Sequence, residues 1–583
     1  MKSLGLGASI FLLAGASAAQ VDIVSQDIAM DLSGPPESMT LVIDASVQAT
    51  AAASSFVFYR PLLDITLAQV NGQPVTVEPH PTYPEWATRV IFSQPLATGD
   101  TAQIHLELAG TPTCSVTGYP GVFCARSDSE TVLTTAYPGV AWYLVNLTGL
   151  DPFIGSIAVR AGDAQTVLAG ARDAESIEAH GDGTSTHHFG IDVATELLAV
   201  YAGEADTLEM DGVRVIHHAG QHDAENVALA AEVTRGVLPI LEGHYGELPI
   251  EDARIVVVPN NFGFGGLGLL GTVLLNEVVV GPADYLIEQG MAHELSHSWW
   301  GNLASGSDPI ESRFLGEAFA EFSGWRALGE LRNDAVRTSG MRMNAVWYMY
   351  RRPNDVDVPV ISNETQSSPV VIHVTYHKGP LVLRTLEQAA GEEAFAEALR
   401  SFLARGYGGL SLDGLIEDIA AASDYDATAD VEQWLRRTGF PRVAVTSRFD
   451  GDAVQLSLAT TGDFTFALPV RIVFSDGRTV DQRLDLAPGT REHAILVDEH
   501  PIAVEIDPRW TAVREITAAL PGDVTLDGEV DGADLVALAV AHGGVLPVER
   551  RIDGHYDPLY DLDRDGLIGD ADLELVRASI SAR

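Results

Sequence analysis

Lysine is almost absent from this chain of 583 residues, which holds only Lys2 and Lys378. Positive charge therefore rests on arginine, and 35 Lys+Arg against 81 Asp+Glu leave a formal net charge of −46. Such a surface repels phosphates and argues against nucleic-acid binding; it suits a highly soluble exported protein. Cysteine is equally scarce, with Cys114 and Cys124 alone. In an oxidising compartment a pair this close is expected to close a small disulfide loop and not to build a metal site. Long apolar runs are missing too. The run "LGLGASIFLLAG" follows Lys2 and precedes Ala16-Ser17-Ala18-Ala19, the pattern of a signal peptide over residues 1–19. No later stretch approaches the roughly 20 apolar residues of a spanning helix. The expectation is a secreted or cell-surface protein with no transmembrane segment in its mature chain. The sequons at Asn146 and Asn363 are read as chance.

A chain this long exceeds one core and divides by pattern. Residues 20–206 carry short alternating runs such as "MTLVIDASV" and "AQIHLEL" between turn signals, a β domain. Residues 207–441 turn mainly helical, with apolar residues three and four apart in "DAENVALAAEVTRGVLPILEGHYG" and "GPLVLRTLEQAAGEEAFAEALRSFLARG". Strand patterns return over 442–517, read as a β-sandwich, and 518–583 hold a duplicated acidic loop.

The segment "HELSH" places His293 and His297 four residues apart, so on a helix both imidazoles share one face and can bind one metal ion. Glu294 then stands within reach of a water on that metal. The flanking "ADYLIEQGMAHELSHSWWG" has no proline after Pro282 and ends at Gly301, as a helix would. The bland alternative is two satisfied histidines on a helix surface.

Context decides between them. "HELSHSWWGN" followed by "GEAFAEF" resembles the aminopeptidase N (gluzincin) family of zinc peptidases. The resemblance implies a thermolysin-like catalytic domain with one zinc held by His293, His297 and Glu317, and Glu294 as general base to a zinc-activated water. From Ser298 to Gly316 there are nineteen residues, one more than the family's step. The extra residue is expected in "ASGSDPIES", between two helices, where a loop absorbs it. Glu311 and Glu321 are the rival ligands, and Glu321 is otherwise expected to support a zinc histidine. "VTYHKGP" resembles the family's Y-x-K-G segment and implies Tyr376 as oxyanion donor. Lys378 falls in the same four residues.

One departure matters. The family's G-x-M-E-N strand carries a glutamate that holds the substrate's α-amine. Here the stretch is "FGFGGLGLLGTVLLNE", and aligning Gly265 with the first glycine puts Gly268 at the glutamate position. Gly265, Gly266 and Gly268 still offer a strand edge for a substrate backbone. Peptide-bond hydrolysis is better supported than aminopeptidase specificity.

The tail repeats one plan. Counting from Asp523, side-chain oxygens fall at Asp523, Thr525, Asp527, Asp531 and Asp534, with the carbonyl of Glu529. Counting from Asp561, they fall at Asp561, Asp563, Asp565 and Asp572, with the carbonyl of Leu567. Glycine stands sixth in both, where a calcium loop turns sharply. Each loop leads into a helix and neither has an entering helix. The pair resembles a dockerin, which implies two structural Ca2+ ions and docking to a cohesin-bearing scaffold, with the tail separable from the peptidase. Two readings rival a secreted, tethered zinc metallopeptidase: a displayed binding module that keeps the fold without catalysis, and an aminopeptidase with another amine anchor.

Overall fold

The computed structural model describes residues 20–112, 124–134, 140–147, 151–218, 224–250, 252–259, 265–280, 284–352, 356–544 and 556–581. The expected signal peptide and Cys114 lie outside the described residues; Cys124 is disulfide-bonded. No helix among the described residues is long and apolar enough to cross a membrane. The chain forms two compact units, Met1–Gly316 with Leu403–Ser411 and Glu317–Phe402 with Leu412–Arg583.

In the first unit, period-two alternation buries one face of each long strand, as along Val21–Asp31 and Met39–Ala49. These two strands pair antiparallel at the centre of an eight-stranded sheet, and Val21–Asp31 pairs in parallel with Phe153–Gly162. Two four-stranded sheets accompany it, and a large apolar core runs from Val21 to Ala202. Asn146 is buried there and its side-chain amide donates to Asp151, so the first sequon is closed to a glycan.

A five-stranded sheet then orders Ala205–Met210, Val213–His218, Ala253–Val258, Thr272–Asn276 and Gly266–Leu269, the last at an edge. The stretch from Thr207, expected to open the helical region, is thus a hairpin. Asp211 and Gly212 both take positive φ at its tip, the backbone of a tight turn whose twist matches the strands. Helices Ala224–Tyr245 and Asp284–Ser296 pack together beside this sheet.

In the second unit, helices Phe319–Leu331, Asp334–Tyr350 and Gly379–Ala390 pack on one another. Glu387, fully buried, is surrounded by Arg326, Arg337 and Arg384, so its charge is compensated inside the bundle. Two small sheets follow, one ordered Gly489–Leu496, Ala453–Thr461, Arg442–Asp450 and Glu515–Ala518, the other Thr479–Leu486, Phe466–Val473 and Ala503–Ile506. The tail ends in helices Gly532–Ala541 and Asp570–Ser581. It does not stand apart: Val524, Val530, Leu538, Tyr556, Ile568 and Val576 form one core with Val346 of the helix Asp334–Tyr350.

Candidate metal centre and calcium-type loops

The helix Asp284–Ser296 buries Ile287, Met291, Ala292 and Leu295, and Glu294, with His297 just beyond the helix end, faces the edge strand Gly266–Leu269. Its last turn tightens: the His297 amide bonds to the Glu294 carbonyl, and Ser298 to Leu295. Gly301, at φ 108, releases the chain. Nδ1 of His297 donates to the Trp300 carbonyl at 3.0 Å, which fixes the tautomer and leaves Nε2 as a lone-pair donor. That Nε2 stands 3.2 Å from Nε2 of His293. Two ligands about 2.05 Å from a tetrahedral zinc are roughly 3.3 Å apart, so the imidazoles already hold the spacing of a metal-binding pair. One carboxylate oxygen of Glu317 completes the group: the ligand atoms of His293, His297 and Glu317 all lie within 4.8 Å of one another. These residues fit a catalytic zinc by donor type, number and spacing.

Glu317 reaches that place by a route the sequence did not show. Asp308 caps the short helix Pro309–Arg313 by accepting from the Ile310 amide at 2.8 Å. The chain then continues through a π-type turn, Phe314–Ala318, into the helix Phe319–Leu331. A π turn houses one residue more than an α turn. The helix thus widens at Glu317 itself, downstream of the loop where the additional residue was expected. Oε1 of Glu321, one turn on, accepts from Trp325 Nε1 at 2.8 Å and from Asn344 Nδ2 at 3.5 Å. Asn344 Oδ1 in turn meets His377 Nδ1 at 2.9 Å. Glu311 lies buried on the short helix upstream.

Tyr376, half-buried, sits on a second π-type turn, His373–Lys378. Lys378 is fully buried, donates to the Arg437 carbonyl at 3.0 Å and lies over the Tyr348 ring. Burial pushes its ammonium down to about 8. Lys378 is thus an internal tie that holds this turn to the end of the helical region.

The edge strand is clamped by the turn that follows the histidines. Ser298 Oγ donates to the Leu269 carbonyl, and Asn302 Nδ2 donates to the carbonyls of Gly268 and His297. These positioning contacts are the physical content of the "SWWGN" string, and Ser298 and Asn302 are the site residues that the reading of motifs passed over. The strand comes so close that a Cβ on Gly268 would stand 2.0 Å from the Glu294 carbonyl oxygen and 2.7 Å from His297 Cβ. A Cβ on Gly266 would meet Glu294 Oε1 at 2.6 Å. No glutamate can occupy position 268 in this register. Gly265, at the start of the strand, accepts from the Asn276 amide.

The two tail loops repeat each other's backbone. Leu526 and Gly528 take positive φ in the first, Arg564 and Gly566 in the second, at the fourth and sixth positions of each. Asp523 accepts from the amides of Asp527 and Gly528, and Asp561 from that of Gly566. Asp534 accepts from the amides of Thr525 and Asp531, and Asp572 from those of Leu562, Asp563 and Gly569. Asp527 and Asp565 each accept from the amide two residues on, that of Glu529 and of Leu567. Asp531 caps the first helix through the Ala533 amide. Burial and neighbouring carboxylates raise Asp523 and Asp561 above the usual carboxylate range. In the second loop, oxygens of Asp561, Asp563 and Asp572 lie within 4.8 Å of one another. Four buried carboxylates, Asp523, Asp534, Asp561 and Asp572, with no arginine or lysine paired to them among the described ion pairs, fit a bound hard cation.

Residues 229–434 match the family model described as the peptidase family M1 domain. The chain is 24% identical over 317 residues to the alanine/arginine aminopeptidase of Saccharomyces cerevisiae, covering 50% of this chain and 37% of that protein. It is 24% identical over 455 residues to a probable M1 family aminopeptidase 2 of Encephalitozoon cuniculi, covering 70% and 51%. The matched stretches therefore span from about a third to half of those relatives' own lengths. A crystal structure of Legionella pneumophila aminopeptidase A in complex with aspartic acid superposes with a TM-score of 0.70 at 14% identity, over 92% of this chain and 66% of that one. The multidomain fold, a β-rich N-terminal region followed by a helical central domain, is like that of M1 aminopeptidases.

Proposed function

We propose that this chain is an exported zinc metallopeptidase that hydrolyses peptide bonds and carries a calcium-stabilised, dockerin-like tail. The observation that carries the reading is the convergence of His293, His297 and Glu317 beside a half-buried Glu294. Zinc, when bound by those three residues, would acidify a water and polarise the scissile carbonyl. Glu294 takes the proton from the attacking water and returns it to the leaving amine. Tyr376 donates its hydroxyl to the oxygen on which negative charge develops. A substrate in extended form lies along the edge strand Gly266–Leu269, which places the scissile carbonyl next to Glu294. That edge carries no side chain at Gly268 to grip an α-amine, so position 268 does not confine cleavage to N-termini. The two loops hold Ca2+, the 442–517 sheets form a sandwich, and the tail docks to a cohesin-type partner.

Zinc content, and cleavage mapping on one long peptide with blocked and with free N-terminus, test the reading. Glu294→Gln should keep zinc and lose several orders of magnitude in rate. Tyr376→Phe should cost roughly 10²–10³-fold in turnover. A zinc-loaded wild type inert on every peptide tried would leave the displayed binding module as the better account.

A further inference from the structure

Glu317 and Tyr376 each sit on a π-type turn, Phe314–Ala318 and His373–Lys378. Such turns are rare and gather at functional sites. One buried amide links the segments that carry them. Asn344, on the helix Asp334–Tyr350, is fully buried. Its Nδ2 donates to Oε1 of Glu321 at 3.5 Å, and its Oδ1 meets Nδ1 of His377 at 2.9 Å. Glu321 lies one turn beyond Glu317, and His377 is the neighbour of Tyr376; both are 1% exposed.

The chemistry of the amide makes this link directional. A carboxylate only accepts, so Nδ2 faces Glu321; Oδ1 then faces His377, whose proton must stand on Nδ1. Trp347, three residues on from Asn344, lays its ring beside that of His377, with centroids 5.5 Å apart. Lys378 ties the next residue to the Arg437 carbonyl. His377 and Lys378 thus pin the turn from within, and Tyr376 between them and Thr375 is its half-buried residue. Packing alone would be served as well by a leucine at position 344. A leucine would take a donor from Glu321 and an acceptor from His377, and buried polar groups that lose partners are costly. Resting on the peptidase reading, we propose that Asn344 is a positioning residue. It locks the turn that carries Tyr376 to the helix that continues from Glu317, so that the tyrosine hydroxyl and the third metal ligand keep a fixed spacing.

The test is calorimetric titration of full-length, zinc-loaded protein with a phosphinic pseudopeptide, an uncleavable ligand whose tetrahedral oxyanion stands in for that of the reaction. Tyr376→Phe should weaken binding roughly tenfold or more, the loss of one hydrogen bond to a charged group. Asn344→Leu and His377→Phe should each weaken it roughly tenfold, because a small misplacement of the donor forfeits most of that bond. His377→Asn, whose amide puts an N–H near the place of Nδ1, should recover most of the loss. With Tyr376→Phe already in place, none of the three should weaken binding further. Zinc affinity, read by chelator competition, should stay within about threefold throughout, since no ligand atom is removed. Melting curves check folding, and if Asn344→Leu does not fold the two His377 variants decide alone. Equal losses with and without the tyrosine hydroxyl, no recovery in His377→Asn, or a parallel fall in zinc affinity overturns the proposal and leaves the peptidase reading standing. A Tyr376→Phe protein that binds the pseudopeptide like the wild type removes the tyrosine from that reading, and the proposal falls with it.

Discussion

At the scale of single residues, the centre depends on one carboxylate at a widened turn. On the proposed reading, in which Glu317 is the third zinc ligand, Glu317→Ala should cost zinc affinity roughly a hundredfold or more, beyond what loss of a supporting contact costs. Glu321→Ala should cost less zinc affinity but more stability, because Trp325 Nε1 and Asn344 Nδ2 lose their acceptor. Zinc titrations and melting curves on the two variants separate the roles; the opposite ranking would move the ligand to Glu321. Asp151 makes a case in pH. Its Oδ2 accepts from the Ile23 amide and the Asn146 side chain, yet burial pushes its carboxyl up to about 7. An acid raised on folding binds more protons in the native state than in the unfolded one, so between about pH 4 and 7 this group's contribution to stability falls as pH rises. The gap from 3.8 to about 7 corresponds to roughly 4 kcal/mol at most. Asp151→Asn, a neutral mimic, should be more stable than the wild type at pH 8 and no better at pH 4. Parallel melting curves across that range would falsify the assignment.

At the scale of elements, what periodicity could see and what it could not are cleanly divided. The histidine pair is legible because four residues make one helical turn, and Glu317 because "GEAFAEF" keeps its own helical pattern. The π-type turn is not legible: one inserted residue widens a helix without changing which residues are apolar. The hairpin Ala205–His218 was hidden by the long helical runs after it, although Asp211-Gly212 is a turn signal. The closeness of the glycine strand to Glu294 needs coordinates, since glycines mark a turn equally well. That closeness can be tested. Gly268→Ala puts a Cβ 2.0 Å from the Glu294 carbonyl oxygen. The strand or the helix must shift, at a cost of about 1–3 kcal/mol or more, and zinc affinity should fall because His297 is pressed as well. Gly243→Ala is the control: it meets nothing within 4 Å inside the helix Ala224–Tyr245 and should stabilise by roughly 0.5–1 kcal/mol. If Gly268→Ala melts and binds zinc like the wild type, the edge is looser than this geometry.

At the scale of the molecule, the tail looked separable in the sequence because each loop with its helix reads as a self-contained repeat, and the structure joins it to the helical bundle. Its core is shared with Val346, while both the amide and Oγ of Ser447 donate to the Leu526 carbonyl inside the first loop. Arg564 of the second loop reaches Glu515, which also accepts from the Tyr350 hydroxyl. The loops that would bind calcium are therefore part of what holds helix Asp334–Tyr350 and strand Arg442–Asp450 in place. A chain ending at Thr517 exposes Val346 and half-buried Tyr350 to water and should melt several degrees below the full chain, where a simple tether would leave the transition unmoved. Calcium added to calcium-depleted full-length protein, with zinc held constant, should raise the transition of the whole second unit. Saturation at a hundred times Kd is worth about 2.7 kcal/mol per site. Magnesium at equal concentration controls for screening of the −46 net charge. Asp523→Asn and Asp561→Asn should each remove about half of the calcium response. A truncated chain that melts and cleaves like the full-length protein, with calcium acting on the tail alone, would show that the shared core carries no coupling.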